Sequence, residues 1–205
     1  MSENTFKSGF VSIIGRPNVG KSTLLNSILG QKVSIVSDKP QTTRNRILGV
    51  KTLPGTQVIF IDTPGIHKPK HKLNQFMVKT AINTLDEVDI VLFMTEAGES
   101  IGAGDRYIIE ILGKTKKPVF LLINKIDMVQ KGTLLPLMDE FSRLCKFEEI
   151  FPVSALHGDN IAELEESIMR RLPEGPQYFP EDAVTDQPMR FIAAELVREK
   201  IFQLT

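Results

Sequence analysis

Gly15-Arg16-Pro17-Asn18-Val19-Gly20-Lys21-Ser22 decides the fold through what lies on either side of it. Before it runs the apolar, β-branched stretch Phe10–Ile14; after it, Ser22–Leu29 has the apolar spacing of a helix. Strand, G-x-x-x-x-G-K-[ST] loop and helix together make the phosphate-binding loop pattern in the context it requires. The glycines let the backbone curl so that successive N–H groups point inward at phosphate oxygens. The helix N-terminus adds its positive end. On this reading Gly15, Arg16, Pro17, Asn18, Val19 and Gly20 line the loop, Lys21 reaches the β- and γ-phosphates, the Ser22 hydroxyl ligates Mg²⁺, and Thr23 completes the lining. The plain alternative is a glycine-containing turn with an incidental lysine. Average residue usage produces that pattern by chance in about one chain in a hundred of this length.

Outward from the loop, short β-rich runs alternate with longer amphipathic ones. Strands are expected at Phe10–Ile14, Ile47–Thr52, Val58–Ile61, Ile90–Met94, Val119–Ile123 and Ile150–Val153. Helices are expected at Ser22–Leu29, Asn74–Leu85, Asp105–Lys114, Leu134–Cys145 and Asn160–Arg171. Pro54-Gly55 between the second and third strands marks an antiparallel hairpin. The other runs are continuously apolar, as strands buried on both faces of a parallel sheet are. The expected fold is α/β: a doubly wound, mostly parallel six-stranded sheet flanked by helices. Pro173-Glu174-Gly175-Pro176 and Pro180 cannot continue a helix, so residues 1–172 read as the first domain and 173–184 as a linker. Residues 185–205 hold a further amphipathic helix, Met189–Leu204, with Phe191, Ile192, Leu196, Val197, Ile201, Phe202 and Leu204 on its stripe. A lone helix cannot bury such a stripe. Either it docks on the first domain or it opens a second.

Composition narrows the classes. The 205 residues are 41% hydrophobic and 24% charged, which excludes a disordered or coiled-coil chain. Basic and acidic residues number 25 each, so no global positive charge argues for nucleic acid, although a local patch stays open. A single cysteine, Cys145, excludes an internal disulfide framework and a cysteine-based zinc site. Met1–Ser8 lacks the basic start and apolar stretch of a secretory signal. Val88–Met94 and Pro118–Ile123 are too short to span a bilayer. A soluble cytoplasmic protein is expected.

Three further motifs carry chemistry. Asp62-Thr63-Pro64-Gly65 closes the third expected strand. There Asp62 can hold Mg²⁺ through water, and the Gly65 N–H can bond a γ-phosphate oxygen. Alone, such a D-x-x-G is often only a turn. Asn124-Lys125-Ile126-Asp127 closes the fifth strand and suits guanine. The Asp127 carboxylate accepts from N1–H and the exocyclic amino group, which adenine does not offer in that arrangement. A site built to pair a substrate N–H rejects analogues lacking it by about 10⁴-fold. Lys125 can lay its stem over the base and Asn124 can brace the loops. Ser154-Ala155-Leu156 would offer a backbone N–H to guanine O6, a weak signal made credible by its order behind the other three.

The set resembles a translation-factor-class GTPase. Gly15–Asn26, Pro40–Arg46, Asp62–Asn74 and Phe191–Ile201 resemble the bacterial Era family, and the resemblance covers the chain from about Phe6 onward. It implies a P-loop GTPase switch acting in small ribosomal subunit assembly. The implied partners are GTP and GDP, Mg²⁺ and, for the full-length protein, small-subunit ribosomal RNA and the small subunit itself. A monomeric, cytoplasmic protein with peripheral association at the inner face of the membrane is also implied. The resemblance further implies that residues 185–205 are the first helix of an incomplete KH domain, whose G-x-x-G nucleotide-holding loop the chain does not contain. A switch-I threonine coordinates Mg²⁺ in such GTPases: Thr43 is the choice here and Thr42 the alternative. The segment Gln31–Asn45 exceeds a routine connection.

With Lys21, Gly65 and Thr43, Asn18 completes the candidate catalytic set. In related GTPases an asparagine there helps hold K⁺ beside the phosphates. Ile66 stands where Ras-type enzymes carry the water-orienting glutamine, so slow turnover is expected. The metal set is Ser22, Thr43 and, through water, Asp62. Plainer readings apply elsewhere. His67 and His71 read as a solvated basic surface, Cys145 as a buried small residue, Phe141 and Phe147 as core, and Glu163, Glu165 and Glu166 as a wet helix face. Two rival functions remain: a guanine-nucleotide module with negligible hydrolysis, and a P-loop ATPase or kinase.

Overall fold

A computed structural model describes residues 5–36, 46–66 and 82–204, apart from the side chains of Phe202 and Gln203. Its strands form where continuous apolar runs can be buried on both faces. They are β1 (Lys7–Gly15), β2 (Ile47–Leu53), β3 (Thr56–Asp62), β4 (Ile90–Glu96), β5 (Val119–Asn124) and β6 (Glu149–Pro152). Polar ends such as Lys7, Thr95, Glu96 and Asn124 extend the strands past the apolar runs, because their backbones still join the ladder. The single sheet has the order β2-β3-β1-β4-β5-β6, with only β2 antiparallel to its neighbour. The hairpin turns at Pro54-Gly55, where Gly55 takes φ 74°, a value glycine adopts without steric cost.

The helices are α1 (Lys21–Leu29), α2 (82–87), α3 (Ala103–Leu112), α4 (Leu134–Leu144), α5 (Ile161–Arg171) and α6 (Met189–Leu204). Residues 74–81 of the expected second helix lie outside the described residues. One face of the sheet packs on α1 and α5 through Leu24, Leu25, Ile28, Leu164 and Ile168. The other packs on α3 and α4 through Ile108, Leu112 and Phe141. Two covered faces and parallel strands make the doubly wound fold, which opens a crevice at the carboxyl ends of the strands where the winding reverses. Strand β1 is the hub, with β3 on one side and β4 on the other.

The segment 173–184 is not the loose tether its prolines suggest. Pro173 and Gly175 pair with Ser8 and Phe6 of the chain's start. The Gln57 side chain accepts the N–H groups of Tyr178 and Phe179 and donates to the Phe179 carbonyl. Val50 N–H donates to the Val184 carbonyl, and Thr185 Oγ1 donates to Leu48 O, which covers the open edge of β2. Helix α6 then docks through Phe191 and Ile192 while Met189, Val197, Ile201 and Leu204 stay exposed. Its Glu199 is buried, accepts the Val36 N–H at 3.1 Å and pairs with Lys32. Among the plainer readings, Phe141 and Phe147 are core, in edge contact with each other. Cys145 is only half-buried, at the end of α4. Glu163 and Glu166 are exposed, whereas Glu165 is drawn in by an ion pair with Lys51.

Candidate functional site

The phosphate loop is shaped by close approach. A Cβ on Gly15 would lie 2.3 Å from the Met94 carbonyl oxygen, and one on Gly20 2.3 Å from Asn124 Nδ2. Gly20 also takes φ 104°, and Asn18 φ 64°. Gly20 caps α1 with no side-chain hydrogen bond, and no acid stands in the first turn. Such a helix start suits an anion, through its N–H groups and its positive end. Lys21 is buried, and its Nζ donates to the Arg16 carbonyl at 2.7 Å. Burial pushes the ammonium down to about 8, with nearby Asp62 opposing the shift.

At the end of β3, fully buried Asp62 accepts the Ser22 hydroxyl at 2.8 Å and the Ser34 hydroxyl at 2.9 Å, both on Oδ2. Thr63 turns away from the crevice: it is fully buried and donates to the Ile13 carbonyl. Pro64 carries the chain to Gly65, where a Cβ would meet Pro17 N at 2.7 Å, so this turn rests on the wall of the phosphate loop. Ile66 is fully buried, and its N–H donates to the Gly15 carbonyl at 2.9 Å. Its side chain belongs to the core with Ile14 and Ile61.

Asn124 ties the two halves together. Its Nδ2 donates to the Val19 carbonyl at 2.7 Å, and its Oδ1 accepts the Ala155 N–H at 2.9 Å. Lys125 takes φ 64° and pairs with Glu96 at 2.8 Å. Asp127 accepts the Ser154 hydroxyl at 2.6 Å, and His157 stands 3.8 Å away. The Ser154 hydrogen bond, aided by His157 and Lys125, holds the Asp127 carboxyl below its ordinary range. Leu156 is 74% exposed. The crevice therefore brings together the N-terminus of α1, the Ser22–Asp62 pair, and the Asp127 carboxylate just after β5.

A family described as 50S ribosome-binding GTPase matches residues 10–125. A structure of Era in complex with MgGDPNP and nucleotides 1506–1542 of 16S ribosomal RNA is 49% identical, with TM-score 0.91. The match covers 95% of this chain and 67% of that one. The chain belongs to the Era family of GTPases. Aquifex aeolicus Era, solved as a variant bound to GDP and AlF4⁻, is also 49% identical, with TM-score 0.92 over 98% of this chain and 68% of its own. The FeoB G-domain from Methanococcus jannaschii, at 24% identity and TM-score 0.58 over 80% of this chain and 96% of its own, shares the fold. GTP binding and hydrolysis are accordingly the activity of this Era-family chain.

Thr42 and Thr43, with His67 and His71, lie outside the described residues. Several contributors carry no motif. Asn26 on α1 accepts the N–H groups of Val33 and Ser34 and donates to the Ser34 carbonyl, which aims the buried Ser34 hydroxyl at Asp62. Glu96, Glu99 and Asp105, around the β4–α3 connection, hold Lys125 and Arg16. A lone serine or glutamate has no sequence signature; only their convergence in space marks them. Among the described residues, no helix is long and apolar enough to cross a membrane.

Proposed function

We propose that this Era-family GTPase works with Mg²⁺ held by Ser22 and, through water, Asp62, with Thr43 completing the shell when GTP is bound. The carrying observation is the Ser22 hydroxyl 2.8 Å from the buried Asp62 carboxylate at the first turn of α1. Hard oxygen donors beside a phosphate cradle suit Mg²⁺, which keeps several waters and takes few protein ligands. When bound, the ion neutralises charge on the β- and γ-phosphate oxygens. Lys21 moves its ammonium from the Arg16 carbonyl to the phosphates, and the Gly65 N–H meets the terminal one. Asp127 reads the guanine edge, with a backbone N–H of the Ser154-Ala155-Leu156 loop directed at O6.

No side chain at position 66 orients water, because Ile66 is committed to the core. Backbone groups of the switch segments do so instead, and turnover is slow. Asn18 serves K⁺, an added charge beside the bridging oxygen. Turnover compared in K⁺ and Na⁺, for the wild type and Asn18→Ala, tests this. Faster wild-type hydrolysis in K⁺, lost in the variant, supports the role; equal rates in both salts refute it.

The proposed partner is small-subunit ribosomal RNA, supported by 49% identity to an Era solved with a 16S fragment. Residues 189–204 act as the opening helix of an RNA-binding KH domain, supported by the exposed stripe of Met189, Val197, Ile201 and Leu204. Residues 1–172 form the GTPase domain, and 173–184 a connection laid against it. Cross-linking of the full-length protein, with a GTP analogue bound, to purified small subunits tests the partner: label on 16S RNA supports it, and label confined to protein refutes it.

A further inference from the structure

Arg16 occupies a variable position of the phosphate-loop pattern, yet its side chain is engaged by two carboxylates. Nε donates to Asp105 Oδ1 at 2.9 Å, and Nη2 to Glu99 Oε2 at 2.6 Å. Asp105 is fully buried. It also accepts Thr95 Oγ1 at 3.2 Å and the Gly102 N–H at 3.1 Å, the latter fixing the first turn of α3. The arginine stem crosses the backbone of that turn so closely that a Cβ on Gly104 would lie 2.7 Å from Arg16 Cδ. The guanidinium is therefore turned toward α3 and neutralised there by two carboxylates.

Both neighbours of this anchor belong to the nucleotide machinery. The Arg16 carbonyl accepts Lys21 Nζ, and the next residue, Pro17, is the wall against which Gly65 rests. We propose that Arg16 is a positioning residue for the phosphate cradle. Its guanidinium, fixed on Asp105 and Glu99, anchors the outer arm of the loop to α3, so that Pro17 supports Gly65 when a γ-phosphate is present. The anchor concerns the terminal phosphate more than the base, because Pro17 meets Gly65, whereas Asp127 is held by Ser154. A fork-shaped guanidinium suits the task, since two directed hydrogen bonds fix orientation where an ammonium would supply only a point charge.

A merely structural ion pair would leave a different signature. Arg16→Met strands a buried carboxylate and lowers thermal stability in either case. Adding Asp105→Asn removes that charge and restores stability in either case. The release rates of fluorescent GDP and of a fluorescent non-hydrolysable GTP analogue separate the two. The brace requires the double variant to recover its melting temperature while releasing GDP at least about ten-fold faster than wild type, because a small misplacement of positioning groups is costly. The GTP analogue is to be released faster still, by a larger factor. Recovery of both stability and wild-type release rates overturns the proposal, and so does an equal factor for the two nucleotides.

Glu99→Gln gives an independent reading, because Glu99 is 52% exposed and its loss does not threaten the fold. It is expected to speed release of the GTP analogue about two- to five-fold, the scale of a part-exposed ion pair. No change in that rate also overturns the brace. The inference rests on the guanine-nucleotide site itself; a wild-type protein that failed to retain GDP would sink the site and the brace together.

Discussion

Asn124→Ala removes one side chain and two hydrogen bonds from the centre of the crevice. Asn124 is 3% exposed, and both of its partners are backbone groups on the two loops proposed to contact nucleotide: the Val19 carbonyl and the Ala155 N–H. The substitution leaves one acceptor and one donor buried without a partner, at about 1–3 kcal/mol each. Some relaxation is available, because the space vacated beside Gly20 can admit water, so the expected total is about 2–4 kcal/mol. Both bonds join protein groups to protein groups and need no nucleotide atom, so this cost falls on folding rather than on binding. Urea denaturation of wild type and variant without nucleotide should therefore show the full loss. GDP affinity, measured by displacement of a fluorescent analogue, should fall by no more than about ten-fold, or about 1.4 kcal/mol. The opposite pattern would refute the reasoning. Stability within about 0.5 kcal/mol of wild type, together with a thousand-fold loss of GDP affinity, would mean that nucleotide binding rather than folding makes the brace.

The depressed ammonium of Lys21 makes nucleotide binding proton-linked. Its folded pKa of about 8 lies below the ordinary 10.5, so the unfolded chain holds the extra proton between these values. The nucleotide-free protein should thus gain stability as pH rises through that window and show no such gain below it. Phosphates restore the charge, so at about pH 8 GDP binding should take up about half a proton, falling toward none at about pH 6.5. Calorimetry in buffers of different ionisation enthalpy reads this uptake, and no buffer dependence at about pH 8 contradicts it. Ser34→Ala removes one of two hydroxyls that orient Asp62, so release of GDP should require less chelator to accelerate, while guanine-over-adenine selectivity stays unchanged. An unaltered Mg²⁺ dependence of GDP release would remove Ser34 from the site.

What the sequence made legible was whatever is written locally in the backbone. The strand before Gly15, the glycines that meet Met94 and Asn124, and the asparagine at the end of β5 are each read within a few residues. The role of Asn124 as a brace followed from its place between two loops, and its two hydrogen bonds have that form. Less legible were contacts between residues far apart in sequence. Arg16 and Asp105 are 89 positions apart, and Gln57 and Phe179 are 122 apart. Nothing in either local pattern names its partner. The prolines of 173–184 announced the end of a helix correctly but concealed that Gln57 and the edge of β2 would fasten the chain to the sheet. The Thr63 hydroxyl, inside the Asp62–Gly65 motif, donates to the Ile13 carbonyl 50 positions earlier, another pairing that no local pattern names.

Single-turnover hydrolysis with Mg²⁺ and K⁺ supplied, run in parallel on GTP and ATP, tests the central claim most directly. Release of phosphate from GTP alone, abolished by Lys21→Ala, is the predicted result. Equal turnover of ATP, or GTP turnover that survives Lys21→Ala, would contradict it.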